Sequence, residues 1–281
     1  MPELPEVETI ARGLHKRVAG DTIQSIWLGQ KPEPLKSSAE DIARVVEHAR
    51  ILRVRRVGKH IVFDLEQSGG RKGRALRHGQ WVVHLGMTGR MQITDPELEI
   101  AKHTHAIATL ASGRELRFVD PRRFGRLAVV SDASATSAGF EAPGDEPLDS
   151  QAERFIELFR GRKTPIKSAL LNQKLLSGVG NIYADESLFR AGIRPRRRAA
   201  TLTREQLRKL HASLQEVLHE AISLGGSSVS DYVDADGKEG FFQLQHRVYG
   251  REGQPCLVCG TPIKRVVISG RSSHYCSHCQ K

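Results

Sequence analysis

The sequence predicts an α+β protein, in which an N-terminal β-sandwich with flanking helices precedes a helical domain and a C-terminal β-hairpin module. Short β-branched or alternating runs, separated by Gly, Ser and charged turns, recur between residues 22 and 130. Apolar residues at helical spacing follow residue 151, and all four cysteines come after residue 255. A small, polar, Pro/Gly-rich stretch separates the two patterns. We therefore expect domains at 1–135, 151–245 and 246–281, with a linker at 136–150.

The first domain is expected to begin with a helix and to continue mostly as sheet. Pro5 starts the helix, since Val7, Ile10 and Leu14 recur near helical spacing, and Gly20 ends it. Residues 67–73 are predicted to form an exposed basic turn. The sequence further predicts seven strands, together with one helix that Ser38 caps: strands at 22–28, 51–57, 61–65, 81–85, 105–110, 116–119 and 127–130, and the helix at 38–48.

Helical spacing dominates the next part of the chain. Phe155 and Phe159 lie on one stripe, and a tight turn containing Gly178 and Gly180 leads into a helix at 181–190. Backbone N–H groups at a helix N-terminus after such a turn can bind phosphate. Glycine also occurs in helix connections for geometry alone, so this pattern by itself is weak.

A second, longer helix follows this turn. Thr203 and Gln206 form a capping box at its start, and an apolar stripe continues to about residue 222. His211 and His219 on this helix are expected to be solvated. The Gly/Ser/Asp-rich segment 226–243 beyond it is most simply a mobile loop.

The charge balance favours a polyanionic partner. Lys and Arg number 43 against 32 Asp and Glu, which gives a net charge of +11. Nucleic acid is the leading candidate, although a basic soluble protein or one that touches an anionic membrane surface would share this charge. No apolar run approaches the ~18 residues of a membrane span. Glu3, Glu6 and Glu8 are incompatible with a signal peptide, so we expect an intracellular protein.

The cysteines form the clearest chemical pattern. Cys256, Cys259, Cys276 and Cys279 have the spacing C-x2-C-x16-C-x2-C, which is typical of a structural tetrahedral zinc site. Without an export signal a disulfide framework is not expected. A hairpin is predicted between the two cysteine pairs, with Arg271 at its tip, where it would be either an ordinary surface arginine or a phosphate contact.

The N-terminus carries a candidate nucleophile. Once Met1 is removed, Pro2 presents a secondary amine, and terminal amines have a reference pKa of about 7.7–8.0. Such an amine can attack an electrophilic sugar carbon and form an iminium, with Glu3 as a nearby carboxylate for proton transfer. The alternative is an inert Pro-rich terminus in which Pro5 merely starts a helix. Lys59, after Gly58 at a turn, is a rival Schiff-base nucleophile or a phosphate contact.

Two loops carry residues that could enter a base stack. Met87 lies in the glycine-bounded loop after the strand that ends near His84, and Arg122 and Phe124 lie on a Pro/Gly turn. An exposed Met can wedge between bases, and an Arg beside a Phe can reach a base edge while the ring stacks. The structural alternative for Met87 and Phe124 is core packing.

Several motifs in order resemble the bacterial formamidopyrimidine-DNA glycosylases: PELPEVE at 2–8, GKH at 58–60, HLGMTGRM at 84–91, KHTH at 102–105, DPRRFG at 120–125 and the terminal YCSHCQ. The resemblance implies a bifunctional DNA glycosylase and abasic-site lyase of base excision repair. Such an enzyme excises 8-oxoguanine and formamidopyrimidines from duplex DNA through a Pro2 Schiff base and β,δ-elimination. It also implies a helix–two-turns–helix domain around Asn181 and one structural Zn²⁺.

The same resemblance assigns roles to individual residues. Met87, Arg122 and Phe124 would fill the gap left by the extruded base, with Arg122 facing the orphaned cytosine. The expected phosphate contacts are Lys59, His84, Asn181 and Arg271. The loop at 226–243 would cap the extruded base. We expect a monomer that binds damaged double-stranded DNA in the bacterial cytoplasm, at the nucleoid, without a membrane partner.

Two other functions remain open at this point. Endonuclease VIII-like enzymes share the architecture and act on oxidised pyrimidines, but they usually begin PEGPE, whereas this chain has PELPE. A non-catalytic zinc-containing DNA-binding protein would account for the charge and the cysteines alone.

Overall fold

The computed structural model describes residues 1–68, 76–131, 139–228, 234–235, 237 and 239–281. Five of the seven residues of the predicted basic turn at 67–73 therefore lie outside the described residues, as do seven of the eighteen residues of the predicted capping loop at 226–243. Backbone contacts divide the chain into two compact units. The N-terminal unit comprises 1–2, 6–141 and 227–240, and the C-terminal unit comprises 3–5, 142–226 and 241–281. The domain boundaries expected from the sequence stay predictions.

The N-terminal unit contains two four-stranded antiparallel sheets, as predicted. One has the order β1-β6-β7-β5 and the other β2-β3-β4-β8. The first helix presents apolar residues at helical spacing to the core that both sheets share. The elements are α1 (Leu4–Val18), β1 (Ile23–Leu28), α2 (Ala39–Val46), β2 (Arg50–Val57), β3 (His60–Gln67), β4 (Arg77–His84), β5 (Arg90–Thr94), β6 (Thr104–Leu110), β7 (Glu115–Val119) and β8 (Arg126–Ser131).

The strand β5 was missed by the sequence analysis. Met91, its second residue, is buried, and Arg90 and Gln92 on either side of it are partly exposed. The sequence predicted a strand end and a glycine-bounded loop over 84–90, and no strand directly after that loop. Gly89 separates the loop from β5, because its amide closes a turn onto the Leu85 carbonyl at 2.8 Å. A Cβ at position 89 would lie 2.2 Å from that carbonyl oxygen, so only glycine fits.

The C-terminal unit is helical and ends in a two-stranded hairpin. The helices pack around a core of Leu, Ile, Val and Phe side chains, and the capping box of Thr203 and Gln206 is present. His211 is buried, and its Nε2 lies 2.9 Å from the Ser150 carbonyl, so the prediction that it is solvated was wrong. The elements are α3 (Ala152–Phe159), α4 (Ile166–Leu170), α5 (Asn181–Ala191), α6 (Arg204–Ser223), β9 (Lys264–Ile268) and β10 (Arg271–Tyr275).

Within the described parts of the chain, none of the helices has the length and apolar character that a membrane crossing requires.

Candidate active site and nucleic-acid interface

The Glu3 side chain is held at the N-terminus of α5. The Ile182 amide donates to Glu3 Oε1 at 3.2 Å, and the Leu4 amide donates to the Gly178 carbonyl at 3.0 Å. A Cβ at Gly180 would lie 2.1 Å from the Glu3 carboxyl carbon, so this close approach requires glycine. A helix N-terminus favours a negative charge. From the sequence, this helix N-terminus is a candidate phosphate-binding site. In the structure its Ile182 amide binds a carboxylate of the chain itself.

Asn181, at the start of α5, contacts two polar side chains of the C-terminal unit. Its Nδ2 donates to Ser272 Oγ on β10 at 3.3 Å, and its side chain also hydrogen-bonds the Tyr249 hydroxyl. Burial raises the pKa of Tyr249, and the Glu3 carboxylate raises it further, while the Asn181 hydrogen bond opposes both. Tyr249 was not found from the sequence, since an isolated tyrosine outside any motif carries no signal.

A fully buried ion pair connects α4, α5 and the hairpin. Lys167 Nζ lies 2.6 Å from Asp185 Oδ1 and donates to the Ser272 carbonyl at 2.6 Å. Asp185 Oδ2 accepts from the His274 amide at 2.9 Å. Both charged side chains are 0% exposed. Burial lowers the pKa of Lys167, and the Asp185 carboxylate opposes that shift. The pair thereby fixes the strand that begins with Arg271.

In the N-terminal unit, His84 ends β4 with a defined tautomer. The Gly86 amide donates to His84 Nδ1 at 3.1 Å, so Nδ1 accepts and the proton lies on Nε2. Burial, together with the nearby charges of His60, Arg126 and Lys59, lowers the pKa of His84 to about 4. At neutral pH this histidine is therefore an uncharged N–H donor.

Lys59 follows Gly58 at the turn between β2 and β3, where the sequence placed it. It is mostly buried, unlike an ordinary surface lysine. Gly58 has a φ of 59°, the left-handed conformation that favours glycine in a tight turn.

The Asp120 carboxylate joins the two loops that carry the predicted wedge residues. It is fully buried and accepts from the Thr88 hydroxyl at 2.6 Å, from the Arg122 amide at 3.2 Å and from the Gly125 amide at 2.7 Å. A Cβ at Gly86 would lie 2.5 Å from the Gly125 nitrogen, so the two loops touch backbone to backbone.

The wedge residues are Met87, Arg122 and Phe124, and they lie on these two loops. Met87 is 41% exposed and Phe124 is 52% exposed, so neither is core filler. The Arg122 guanidinium carbon lies 5.0 Å from the Phe124 ring centroid, within cation–π range. Large exposed apolar side chains on a rigid turn are suited to entering a base stack.

The four cysteines form one cluster. Their sulfurs all lie within 4.8 Å of one another, with Cys256 Sγ 3.9 Å from Cys279 Sγ and Cys259 Sγ 3.5 Å from Cys276 Sγ. Tetrahedral zinc with Zn–S bonds near 2.3 Å places its sulfurs about 3.8 Å apart. The cluster therefore fits one zinc ion, and four thiolates leave no open coordination position.

Comparison with known proteins agrees with this geometry. Residues 1–127 match the model of the formamidopyrimidine-DNA glycosylase N-terminal domain, 143–233 match its H2TH domain, and 253–281 match the zinc finger found in FPG and IleRS. The chain belongs to the formamidopyrimidine-DNA glycosylase family. The prediction made from the motifs, including the fold and the structural zinc site, is confirmed.

Relatives and solved structures align over nearly the whole chain. The formamidopyrimidine-DNA glycosylase of Solibacter usitatus is 45% identical over 100% of both chains, and that of Thermus thermophilus is 46% identical over 100% of this chain and 98% of its own. The crystal structure of MutM (FPG) from Thermus thermophilus is 43% identical, covers 99% of this chain and 98% of its own, and has a TM-score of 0.82. Lactococcus lactis Fpg in complex with DNA that contains an abasic site is 32% identical over 99% of both chains, with a TM-score of 0.86.

The glycosylase motifs divide between the two units. The N-terminal unit carries Pro2, Lys59, His84 and the wedge residues, whereas the C-terminal unit carries Glu3, Asn181, Arg271 and the cysteines. Pro2 is buried behind an exposed Met1. The individual roles of these residues stay predictions.

We expect Asp120→Asn to lower the free energy of unfolding by about 2 kcal/mol. The amide cannot accept all three hydrogen bonds, and bonds to a charged acceptor contribute roughly 1.5–3 kcal/mol. Urea unfolding measures the effect, with Thr88→Val as the control that removes one of the three donors and costs about 1 kcal/mol. An Asp120→Asn protein as stable as the wild type would contradict this role of the carboxylate.

Asp185→Asn should be more destabilising alone than together with Lys167→Met. The single change leaves a buried ammonium without its counter-charge, which costs about 3–5 kcal/mol, whereas neutral replacement of both partners costs much less. Thermal unfolding of the two single variants and the double variant gives the coupling energy. Glu220→Gln, which breaks the partly exposed pair with Arg190, is the control and should cost under about 1 kcal/mol. Additive effects of the Lys167 and Asp185 changes would refute the coupling.

Stability should fall as the pH drops from about 6.5 to about 4, in part because of His84. The unfolded chain takes up a proton near pH 6.5, whereas the folded pKa of His84 is about 4, so acid favours unfolding across this window. We expect His84→Gln to lose less stability than the wild type between pH 7 and pH 4.5 in urea titrations. His219→Gln, at an exposed position, is the control; an equal effect of both substitutions would exclude His84 as the source.

Proposed function

We propose that this protein excises oxidised purines, including 8-oxoguanine and formamidopyrimidines, from duplex DNA and then cleaves the strand at the abasic site. Family membership over the entire chain carries this conclusion, since relatives 45% and 46% identical are formamidopyrimidine-DNA glycosylases. Support for DNA as the partner comes from the Lactococcus lactis Fpg structures, which are complexes with abasic-site DNA and with Fapy-dG DNA. The excess of basic residues suits this substrate.

The proposed reaction begins after Met1 is removed, because the Pro2 nitrogen is otherwise part of an amide. The free amine attacks C1′ of the damaged nucleotide, a C–N bond forms, and the glycosidic bond breaks with its electron pair leaving on the base. The departing base takes up a proton, and the Pro2 nitrogen loses one. Ring opening then gives an iminium, which acts as the electron sink for the later steps.

Glu3 is proposed to move protons between these steps. Its carboxylate is adjacent to Pro2 in the chain and is oriented by the Ile182 amide. A positioned carboxylate can protonate the ring oxygen as the sugar opens and then accept a proton from the sugar. Loss of the 3′ phosphate by β-elimination and of the 5′ phosphate by δ-elimination leaves a one-nucleotide gap.

Met87, Arg122 and Phe124 are proposed to fill the duplex where the base leaves. Extrusion costs a few kcal/mol and costs least at a damaged pair, so occupation of the gap stabilises the extruded state. Arg122 is held by its backbone amide to Asp120 and by its contact with Phe124. This arrangement would allow it to hydrogen-bond the cytosine that has lost its partner.

The DNA backbone is proposed to contact four side chains: Lys59, His84, Asn181 and Arg271. His84 would contribute a neutral N–H donor, and Arg271 a charged one at the tip of the hairpin. Zinc would hold the base of this hairpin in a closed four-thiolate site, so its contribution is structural. We further propose that the protein acts as a monomer in the cytoplasm, at the nucleoid, where its chromosomal substrate lies.

Borohydride trapping tests the nucleophile. We expect the Met-free protein to form a covalent adduct with an 8-oxoguanine duplex, and peptide mass spectrometry to locate the DNA on Pro2. Pro2→Gly should reduce the adduct strongly, and Glu3→Gln should suppress incision, whereas Glu97→Gln, on an exposed loop, should leave both unchanged. An adduct on Lys59 would refute the Pro2 mechanism, and the absence of any adduct would favour a non-catalytic DNA-binding protein.

Lesion choice distinguishes the proposed activity from that of an endonuclease VIII-like enzyme. The test uses matched duplexes that carry 8-oxoguanine, a formamidopyrimidine or thymine glycol at one position. In single-turnover experiments we expect the two purine lesions to be incised much faster than thymine glycol. A preference for thymine glycol would overturn the assignment to oxidised purines.

A further inference from the structure

A cluster of unpaired cations lies on the C-terminal unit outside the residues considered so far. It consists of Arg160, Arg162, Lys163, Arg196, Arg197 and Arg198, which we call the basic patch. Five of these side chains are exposed, and Arg197 is half-buried. The sequence contains no Asp or Glu from residue 158 to 184 or from 187 to 204. Within these two stretches the chain therefore supplies the basic patch with no negative charge.

The fold brings the two halves of the basic patch together. The Ala200 amide donates to the Arg162 carbonyl at 2.7 Å, the Ala199 amide to the Thr164 carbonyl at 3.0 Å, and the Ile166 amide to the Arg197 carbonyl at 2.7 Å. Backbone segments paired in this way lie about 5 Å apart. The cations of both halves are therefore attached to adjacent backbone segments.

Four arginines on the helices of this unit contrast with the basic patch, because each is paired with a carboxylate. Arg154 is paired with Asp145, Arg190 with Glu220, and both Arg204 and Arg208 with Glu153. Among the described residues, no carboxylate pairs with a member of the basic patch. The hydrogen bonds that its guanidinium groups make go to neutral acceptors, for example from Arg197 to the Thr201 carbonyl at 3.1 Å. Its positive charge therefore remains uncompensated.

The basic patch is continuous with the hairpin that carries Arg271. Arg196 Nη2 donates to the Val267 carbonyl on β9 at 3.4 Å. On the neighbouring helix α4, Ser168 Oγ lies 2.9 Å from Ser269 Oγ at the hairpin turn. A polyanion that contacts Arg271 can therefore continue onto the basic patch within the same compact unit.

The composition of the two segments favours the backbone of a duplex over exposed bases. Residues 160–164 and 194–200 contain no aromatic side chain. Single-strand binding sites combine positive charge with aromatic platforms on which bases stack, and this second component is missing here. Arginine, by contrast, suits phosphate through its planar fork of donors.

We propose that the basic patch binds phosphates of the duplex DNA that flanks the lesion, beyond the nucleotides that Arg271 contacts. This inference rests on the proposed function, since it takes damaged duplex DNA as the partner. It adds a second contact that is independent of the lesion and would increase the footprint and the salt dependence of binding.

The test compares two duplex lengths. The triple variant Arg160→Ser, Lys163→Ser, Arg198→Ser removes three exposed charges and no side-chain ion pair. Its affinity is measured by fluorescence anisotropy between 50 and 200 mM KCl for a 13-bp and a 35-bp duplex, each with a central tetrahydrofuran abasic analogue. We expect the magnitude of the log–log salt slope on the 35-bp duplex to fall by about 2.7, since the variant loses three phosphate contacts and each contributes about 0.9. The 13-bp duplex should change less than twofold in affinity.

A charge-matched variant serves as the control, and three outcomes would overturn the proposal. The control variant removes the same charge from exposed positions of the other unit through the substitutions Lys16→Ser, Lys31→Ser and Arg53→Ser. It should not alter how the affinity depends on duplex length. Equal losses on both duplexes would place the basic patch inside the lesion-contacting segment, and no loss on either would exclude phosphate binding; both overturn the proposal. A larger loss on a 35-nucleotide single strand than on the duplex would also overturn it.

Excision of 8-oxoguanine from the 13-bp duplex at saturating enzyme reports separately on the proposed function. Wild-type protein and triple variant should excise at the same rate. A wild-type protein that binds with the expected length dependence but does not excise would contradict the proposed activity and leave the basic patch supported. Normal excision without length dependence would contradict the basic patch alone.

Discussion

The contact between the Glu3 carboxylate and the N-terminus of α5 is the constraint on which the proposed chemistry depends. Consecutive Cα atoms are 3.8 Å apart, so fixing Glu3 also limits where the Pro2 nitrogen can lie. A backbone amide at a helix N-terminus is well suited to hold the Glu3 side chain, because it binds the ionised carboxylate and is not itself titratable. The glycine at position 180 is required for the same reason, since any side chain would occupy the space of the carboxylate.

A buried carboxylate that accepts hydrogen bonds from backbone amides also occurs at other loops of the protein. Asp120 accepts backbone amides and a hydroxyl from the two wedge loops, and Glu186 accepts the amides of Arg247, Val248 and Tyr249 at 2.8–3.0 Å. In each case one buried carboxylate satisfies several donors that a loop would otherwise expose to water. Loops held in this way would lose little further entropy on binding DNA, which suits the insertion proposed for Met87, Arg122 and Phe124.

Much of the fold follows from local sequence patterns, and the site only partly does. The strands between residues 22 and 130 and the caps at Ser38 and Thr203 are determined by residues close in sequence. The spacing of the cysteines is by itself typical of a four-cysteine metal site. The partners of Glu3, Lys167 and Asp185 are different, because Glu3 meets a residue 179 positions away and Asp185 one that is 89 positions away. No periodicity encodes such contacts. The buried His211 was missed for a similar reason, since its acceptor at Ser150 lies on a distant segment.

The arginines of the C-terminal unit serve two physical purposes. Those on α3, α5 and α6 are neutralised by carboxylates, whereas no carboxylate in the described part of the chain pairs with those at 160–162 and 196–198, which repel one another. Such repulsion destabilises the free protein and is relieved when phosphates bind, so binding and folding of this unit are linked. A protein that must search long stretches of undamaged duplex gains from this arrangement. Under the two proposals made above, contacts that ignore sequence would keep it on DNA, and Pro2 and Glu3 would carry out the lesion-dependent chemistry.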